Sequence, residues 1–341
     1  MFRSSIAEDK IVSGGFVPYH LRQNKSVERA VFIDLLGLLG RSTEKPIQKY
    51  TYVGFAGPFS EDFKLVHSQL GIHKLISIED KEGILARQKW NAPIKCIQYR
   101  QCRAREFIDE FDGSMPVIFW LDYASPKEVG DQIAEAEFLL SKMAAYDVLK
   151  ITVNANPWTL GSGDNTSERV DEANRRLGNF LPNPPSTTVD DVSRSGYPKL
   201  LLKAIETAMK RGLEGKKDCV FQLLTTFAYA DSEHQMLTVT GIVLPGGREK
   251  KFLKETGISR WKLSTSKWGN PWTVPLEISI PEMSLRERLF IDQQMPRTRS
   301  KTLLGKFGFS MTDGSEEKNL RALDSYRRFY RHYPYFSKVI V

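Results

Sequence analysis

The 341-residue chain is poor in cysteine: Cys96, Cys102 and Cys219 stand without CxxC spacing and leave an odd one over. That argues against a disulfide framework and a zinc-ligand pattern, so no metal is expected, and a reducing cytoplasm is the natural home. Long apolar runs are missing too, so no stretch reads as a membrane span, and the opening MFRSSIAEDK has no apolar core of a signal peptide. There is no internal repeat and no low-complexity run. What remains, with 41% hydrophobic residues, is an ordinary globular composition long enough for two or three structural units.

Charge is plentiful and unbalanced. Lys and Arg outnumber Asp and Glu by 49 to 41, a formal net charge of +8, which favours an anionic partner and makes nucleic acid a candidate. Other protein subunits are also open as partners, and no membrane partner is expected.

The chain is organised around Tyr52 to Asp80, YVGFAGPFSEDFKLVHSQLGIHKLISIED. Tyr52, Val53 and Phe55 make a short apolar strand that breaks at Gly54, Gly57 and Pro58. Phe63, Leu65, Val66 and Leu70 follow at roughly helical spacing, Gly71 supplies a stop, and Leu75, Ile76 and Ile78 form the next strand. A β-α-β unit with glycines in its first turn lets a cofactor approach the backbone closely. The acid that closes the second strand, Glu79 or Asp80, is placed for two ribose hydroxyls, about 22 residues beyond Gly57. Gly54-Phe55-Ala56-Gly57-Pro58 is not a full GxGxxG, and a glycine turn that only packs a helix on a sheet is the plainer alternative.

Before this unit, Ser26 to Leu39 reads as an amphipathic helix; begun at about Arg22 it puts Arg22, Lys25 and Arg29 on one face. After it come a helix at Lys81 to Lys89, a strand at Lys95 to Tyr99, and the clearest strand, Pro116 to Leu121, ending in Asp122-Tyr123-Ala124-Ser125-Pro126. Ligands of open α/β sheets bind beyond such carboxyl ends, where Asp122 stands. A helix over Glu128 to Ala145 leads into the strand Asp147 to Val153, interrupted by Lys150, a cation that must be paired or face a cleft. Residues 158–217 turn to Gly, Ser, Asn and Pro, with a helix from Lys199 to Arg211, and read as an insertion or lid. Cys219 to Tyr229 and Gln235 to Leu244 form a hairpin. The rest holds a helix at Ser284 to Gln294 and the tail SYRRFYRHYPYFSKVIV, whose aromatics and arginines suit either base stacking or core packing.

Alternating strands and helices followed by an antiparallel hairpin resemble a class I, Rossmann-like S-adenosylmethionine-dependent methyltransferase. In detail, YHLRQNKSVER, YVGFAGPFSEDF, LDYASP and FAYADSEHQMLTVTG resemble bacterial proteins described as putative O-methyltransferases. The resemblance implies an α/β fold: a mostly parallel Rossmann-like sheet ending in an antiparallel hairpin, with a helical or loop insertion and a C-terminal extension. It divides the chain into a lead-in at 1–50, a core at 51–157 and 218–245, the insertion at 158–217, and a substrate-binding or interaction segment at 246–341. It implies S-adenosylmethionine as cofactor, with Gly54, Ala56 and Gly57 along its methionine part, Glu79 (flanked by Asp80) on the ribose, Asp122 near the methyl group, and Phe55, Cys102 and Tyr123 also among the cofactor contacts. Gln101-Cys102-Arg103 stands where many members carry an acid for the adenine amine.

A finer comparison is with ribose 2′-O-methyltransferases and their Lys-Asp-Lys-Glu tetrad. Lys25, Asp122, Lys150 and Glu233 occupy similar places, which implies Lys150 as the proton acceptor, Asp122 and Glu233 as its orienters, and Lys25 as the group that steadies the developing alkoxide. O-methylation is then the expected chemistry, with a ribose 2′-hydroxyl of a nucleic acid such as RNA as one candidate acceptor. DYASP departs from the DPPY-type loop of base N-methylation. The rival from another class is a non-catalytic Rossmann-like nucleoside-binding sensor or effector in a nucleic-acid or defence complex. A nicotinamide oxidoreductase is disfavoured by the hairpin.

Overall fold

The computed structural model of the chain describes residues 22–41, 45–161, 165–231, 234–267, 270–312 and 314–334. Eight strands form one sheet: β1 (Thr51–Gly54), β2 (Lys74–Ile78), β3 (Ile97–Arg100), β4 (Val117–Asp122), β5 (Val148–Asn154), β6 (Cys219–Asp231), β7 (His234–Pro245) and β8 (Leu276–Ile278). Their order is β3-β2-β1-β4-β5-β7-β6-β8, and β7 alone runs against its neighbours. The expected hairpin is β6–β7, which closes the parallel part of the sheet.

β4 and β5 are near-continuous apolar runs because both faces of the sheet are covered. Side chains alternate between the faces. Phe119, Leu121, Leu149 and Ile151 pack beneath helices α5 (Val129–Lys142) and α7 (Tyr197–Gly212) on one face, while Ile118, Trp120 and Val148 pack beneath α1 (Gln23–Leu39) and α2 (Glu61–Leu70) on the other. The helices, in chain order, are α1 (Gln23–Leu39), α2 (Glu61–Leu70), α3 (Glu82–Trp90), α4 (Ala104–Glu110), α5 (Val129–Lys142), α6 (Thr166–Leu177), α7 (Tyr197–Gly212), α8 (Glu249–Glu255), α9 (Leu285–Gln294), α10 (Ser300–Phe307) and α11 (Glu316–Phe329).

The stretch expected as a lid contains a structural layer. Leu201, Ala204, Ile205 and Ala208 of α7 are buried in the same cluster as β4 and β5, since an apolar stripe at helical spacing needs a surface to cover. The C-terminal elements share a core with α1: Val27 and Val31 meet Phe227, Tyr229, Ile278, Leu323, Tyr326 and Phe329. Tyr326 and Phe329 of the basic aromatic tail are therefore packing residues. Asn24 fastens this arrangement, donating to the Ala230 carbonyl at 2.7 Å and accepting from the Ile280 N–H at 2.9 Å.

Candidate active site

α1 presents Val27, Val31, Phe32, Leu35 and Leu36 to the protein interior, and its apolar surface is interrupted by Lys25, Glu28 and Arg29, which are also buried. Charges in such a place need partners, because desolvation of an unpaired ion is costly. The sheet and α2 supply them. The Lys25 ammonium donates to both carboxylate oxygens of Asp122 at 2.9 and 2.7 Å. Lys150 pairs with Glu28 at 2.5 Å, and the Thr238 hydroxyl donates to the same Glu28 oxygen at 3.3 Å. Arg29 pairs with Glu61 at 2.6 Å, and the Tyr52 hydroxyl donates to Asp62 at 2.5 Å.

Aromatic rings take the place of water around the two lysines. The Lys150 ammonium lies 3.5 Å from the Trp120 ring centroid and 4.1 Å from that of Phe32. The Lys25 ammonium lies 4.9 Å from the Trp120 ring and 5.8 Å from Tyr229. Such contacts attract cations electrostatically when both are desolvated. Trp120 is fixed in turn by its indole N–H, which donates to the Thr152 hydroxyl at 3.0 Å. Burial pulls the Lys150 amine down to about 8; Glu28 opposes this, Lys25 pushes the same way as burial, and Asp122 opposes it again.

Depth separates the four charges. Asp122 is level with Thr152 and Lys150 with Trp120, so Lys150 sits two residues further down the sheet on the same face. The Asp122 side chain is 26% exposed and that of Lys25 5%, whereas Lys150 has no exposed side-chain surface. Lys150 and Asp122 were expected to pair at neighbouring strand ends; instead Lys25 takes Asp122 and Glu28 takes Lys150. Glu233, the expected fourth member, lies outside the described residues.

The other half of the rim is made by the ends of β1, β2 and β3. Gly54 closes β1, where an added Cβ would come 3.1 Å from the Trp120 carbonyl oxygen. Gly57 has a φ of +57°, a conformation that suits glycine, and open space on its Cβ side. Ala56 is buried; Phe55 meets Tyr123 edge to face at 5.5 Å, and with Cys102 both rings lie against the α5 side of the core. Burial raises the Cys102 thiol. The Tyr123 hydroxyl donates to Glu135, so it is occupied within the fold. Glu79 is half-buried just past β2 and accepts from the Lys81 N–H at 3.0 Å and, weakly, from Gln88 at 3.5 Å; Asp80 is exposed. A carboxylate has about four acceptor sites, so Glu79 keeps capacity for hydroxyl donors. An open glycine turn, an aromatic and thiol wall, and a carboxylate with spare lone pairs fit an adenosine group.

Glu28 and Trp120 were missed from sequence. The signal for Glu28 was a carboxylate three residues after Lys25, on the same side of α1. Trp120 read simply as strand core, and only its cation contacts mark it.

The sheet order with reversed β7, and a charged rim where β4 and β5 end, define a class I methyltransferase fold, the class that draws its methyl group from S-adenosylmethionine. A family model described as "Putative O-methyltransferase" matches residues 17–341, and the chain belongs to that family. Among solved structures, the fold is similar to that of Trm1 from Pyrococcus horikoshii in complex with S-adenosyl-L-methionine, at 11% identity over 71% of this chain and TM-score 0.44. The chain spans 60% of that protein's length. It is also similar to an O-methyltransferase from Bacillus cereus in complex with SAH, at 10% identity over 66% of this chain and 84% of the other, with TM-score 0.36. The comparison with curated protein sequences found no match.

Proposed function

We propose that the chain is an S-adenosylmethionine-dependent O-methyltransferase whose acceptor hydroxyl meets Asp122 and Lys25, and that the acceptor is a ribose 2′-hydroxyl of RNA. The observation that carries this is the set of two lysines and two carboxylates at and below the end of β4, joined as Lys25–Asp122 and Lys150–Glu28, of which only Asp122 is appreciably exposed. Gly54, Ala56 and Gly57 leave room for the cofactor, Glu79 takes its ribose, and Phe55, Cys102 and Tyr123 wall its base. When bound, S-adenosylmethionine would supply an electrophilic methyl carbon whose leaving group, the sulfur, keeps the C–S electron pair.

A hydroxyl attacking that carbon must shed its proton. Asp122 is the most exposed member of the set, so its carboxylate is the group that accepts the proton and passes it to water, while the Lys25 ammonium beside it steadies the oxygen's growing negative charge. Lys150, expected as the proton acceptor, lies too deep to touch an acceptor; it acts as a positioning residue that holds Glu28 and, with Trp120, the floor beneath Lys25. Most of the rate enhancement then comes from orientation of the oxygen.

Calorimetry with S-adenosylmethionine, followed by transfer of a tritiated methyl group to total cellular RNA, tests the reading. Wild type is expected to bind and to label RNA at alkali-resistant 2′-O positions, and Asp122→Asn to bind but lose about two to four decades of turnover. Absence of cofactor binding would return the chain to the non-catalytic class. Labelling of base nitrogens would replace the oxygen chemistry.

A further inference from the structure

The turn after β5 carries a feature that the charged set does not use. Trp158 is 57% exposed, although its mounting is rigid. It lies in the 3₁₀ turn Pro157–Leu160, where the Trp158 N–H donates to the Asn156 side chain at 3.2 Å and the Thr159 hydroxyl donates to the Asn156 carbonyl at 2.8 Å. The Arg169 guanidinium of α6 lies 4.2 Å from the indole centroid, and Arg169 is itself only 7% exposed. This contact positions the large ring while leaving much of its surface in water.

The turn is coupled to the candidate site. Arg176 donates to the Pro126 carbonyl at 2.8 Å and to the Thr159 carbonyl at 2.7 Å, and it pairs with Glu172 at 2.6 Å. One side chain thus clamps the loop that follows Asp122 to the turn that holds Trp158, and both leave the carboxyl ends of neighbouring strands. Lys127, exposed and next to Pro126, puts a cation on the same rim.

We infer that Trp158 is a stacking platform for a nucleobase of a single-stranded nucleic acid, placed so that the sugar beside that base can reach Asp122 and Lys25. This rests on the methyltransferase reading and narrows its acceptor. A flat ring held in place by the Arg169 guanidinium on it stacks any base at little entropic cost. The surplus of cations in the chain and Lys127 on the rim suit a phosphate backbone and give no advantage to an uncharged phenol.

The experiment is a titration of the full chain into a short fluorescein-labelled single-stranded RNA of mixed sequence, followed by anisotropy without S-adenosylmethionine. Wild type is expected to bind, Trp158→Ala to bind about tenfold or more weakly, and Trp158→Phe to stay within about threefold of wild type. Trp158→Leu, apolar but not flat, should resemble the alanine variant, and melting curves should confirm that all four proteins are folded. The inference is overturned if wild type does not bind, if alanine binds as tightly as tryptophan, or if leucine serves as well as phenylalanine. Because no methyl donor is present, failure here leaves the calorimetric test of the methyltransferase reading intact. A protein that binds RNA through Trp158 but ignores S-adenosylmethionine would fail that test alone.

Discussion

The two halves of the rim solve opposite problems. On the β1–β3 side the turn at Gly57 is open and Glu79 is half-buried with lone pairs to spare. On the β4–β5 side Glu28 and Lys150 are sealed from water and paired to each other, Lys25 is nearly buried and holds the more exposed Asp122, and the rings of Phe32, Trp120 and Tyr229 lie against the two lysines. The difference teaches that space and unspent hydrogen-bond capacity mark a place where a ligand sits, whereas closely paired charge marks a place whose geometry is fixed in advance. Preorganised charge acts strongly on a reaction because little has to move.

The sharpest break of this contrast removes one ion from the sealed half. Glu28→Ala strands the Lys150 ammonium and should cost about 3 to 5 kcal/mol of stability, read from denaturant unfolding, with little change in cofactor affinity. The double substitution Glu28→Leu with Lys150→Met should recover most of that loss, since well-packed apolar groups often replace a buried pair at no cost. A mild Glu28→Ala phenotype would mean that water reaches Lys150.

In the open half the effect should fall on binding. Glu79→Ala is expected to weaken S-adenosylmethionine by about 1.5 to 3 kcal/mol for each charge-assisted hydrogen bond lost, while Asp80→Ala, which changes an exposed side chain, should matter far less. Calorimetry on the pair decides, and the reverse order would move the ribose to Asp80. A smaller effect follows from the turn: Gly57→Ala keeps the space but forces a Cβ into the left-handed region, at about 1 to 2 kcal/mol of stability.

The last expected signal is a slope, spread over more than two pH units. The Lys150 amine titrates at about 8 in the folded protein against an ordinary value of 10.5, so between these pH values the native state holds fewer protons than the unfolded state. Stability should therefore gain a rising contribution as pH goes from about 8 to about 10.5. Comparing unfolding across that range in wild type and Lys150→Met isolates it, and equal slopes would show that the amine is not desolvated.

Much of the fold was legible because it depends on local pattern. The strand 116–121 and helix 128–145 were readable from apolar spacing and length, and the β6–β7 hairpin from its turn chemistry; each lies within a few residues of its place. Within residues 158–217 the helix at 199–211 was readable from its spacing, but its place was not, because the Gly, Ser and Pro around 178–196 give no sign that its stripe covers the sheet. In the candidate site, Lys150 could be singled out as a charge in an apolar strand, Asp122 as the acid at a strand's carboxyl end, and Lys25 from its shared helix face with Arg22 and Arg29 and from the resemblance to the tetrad. Their partners could not, since pairing depends on how far along the sheet each residue sits.

The sequence alone determined the alternation of strand and helix, the glycine turn with its acid one strand later, and that within β4 residues 120 and 122 share a face, as 148 and 150 do within β5, since these follow from periods of two and 3.6 along the chain. Tertiary structure decided the rest: that α1 lies across β4 and β5 with Lys25 over Asp122 and Glu28 over Lys150, and that Arg176 clamps the turn of Trp158 to the loop after Asp122. Charges separated by 97 and 122 positions meet because packing of the apolar stripe of α1 sets its height on the sheet, and the ion pairs follow from that height.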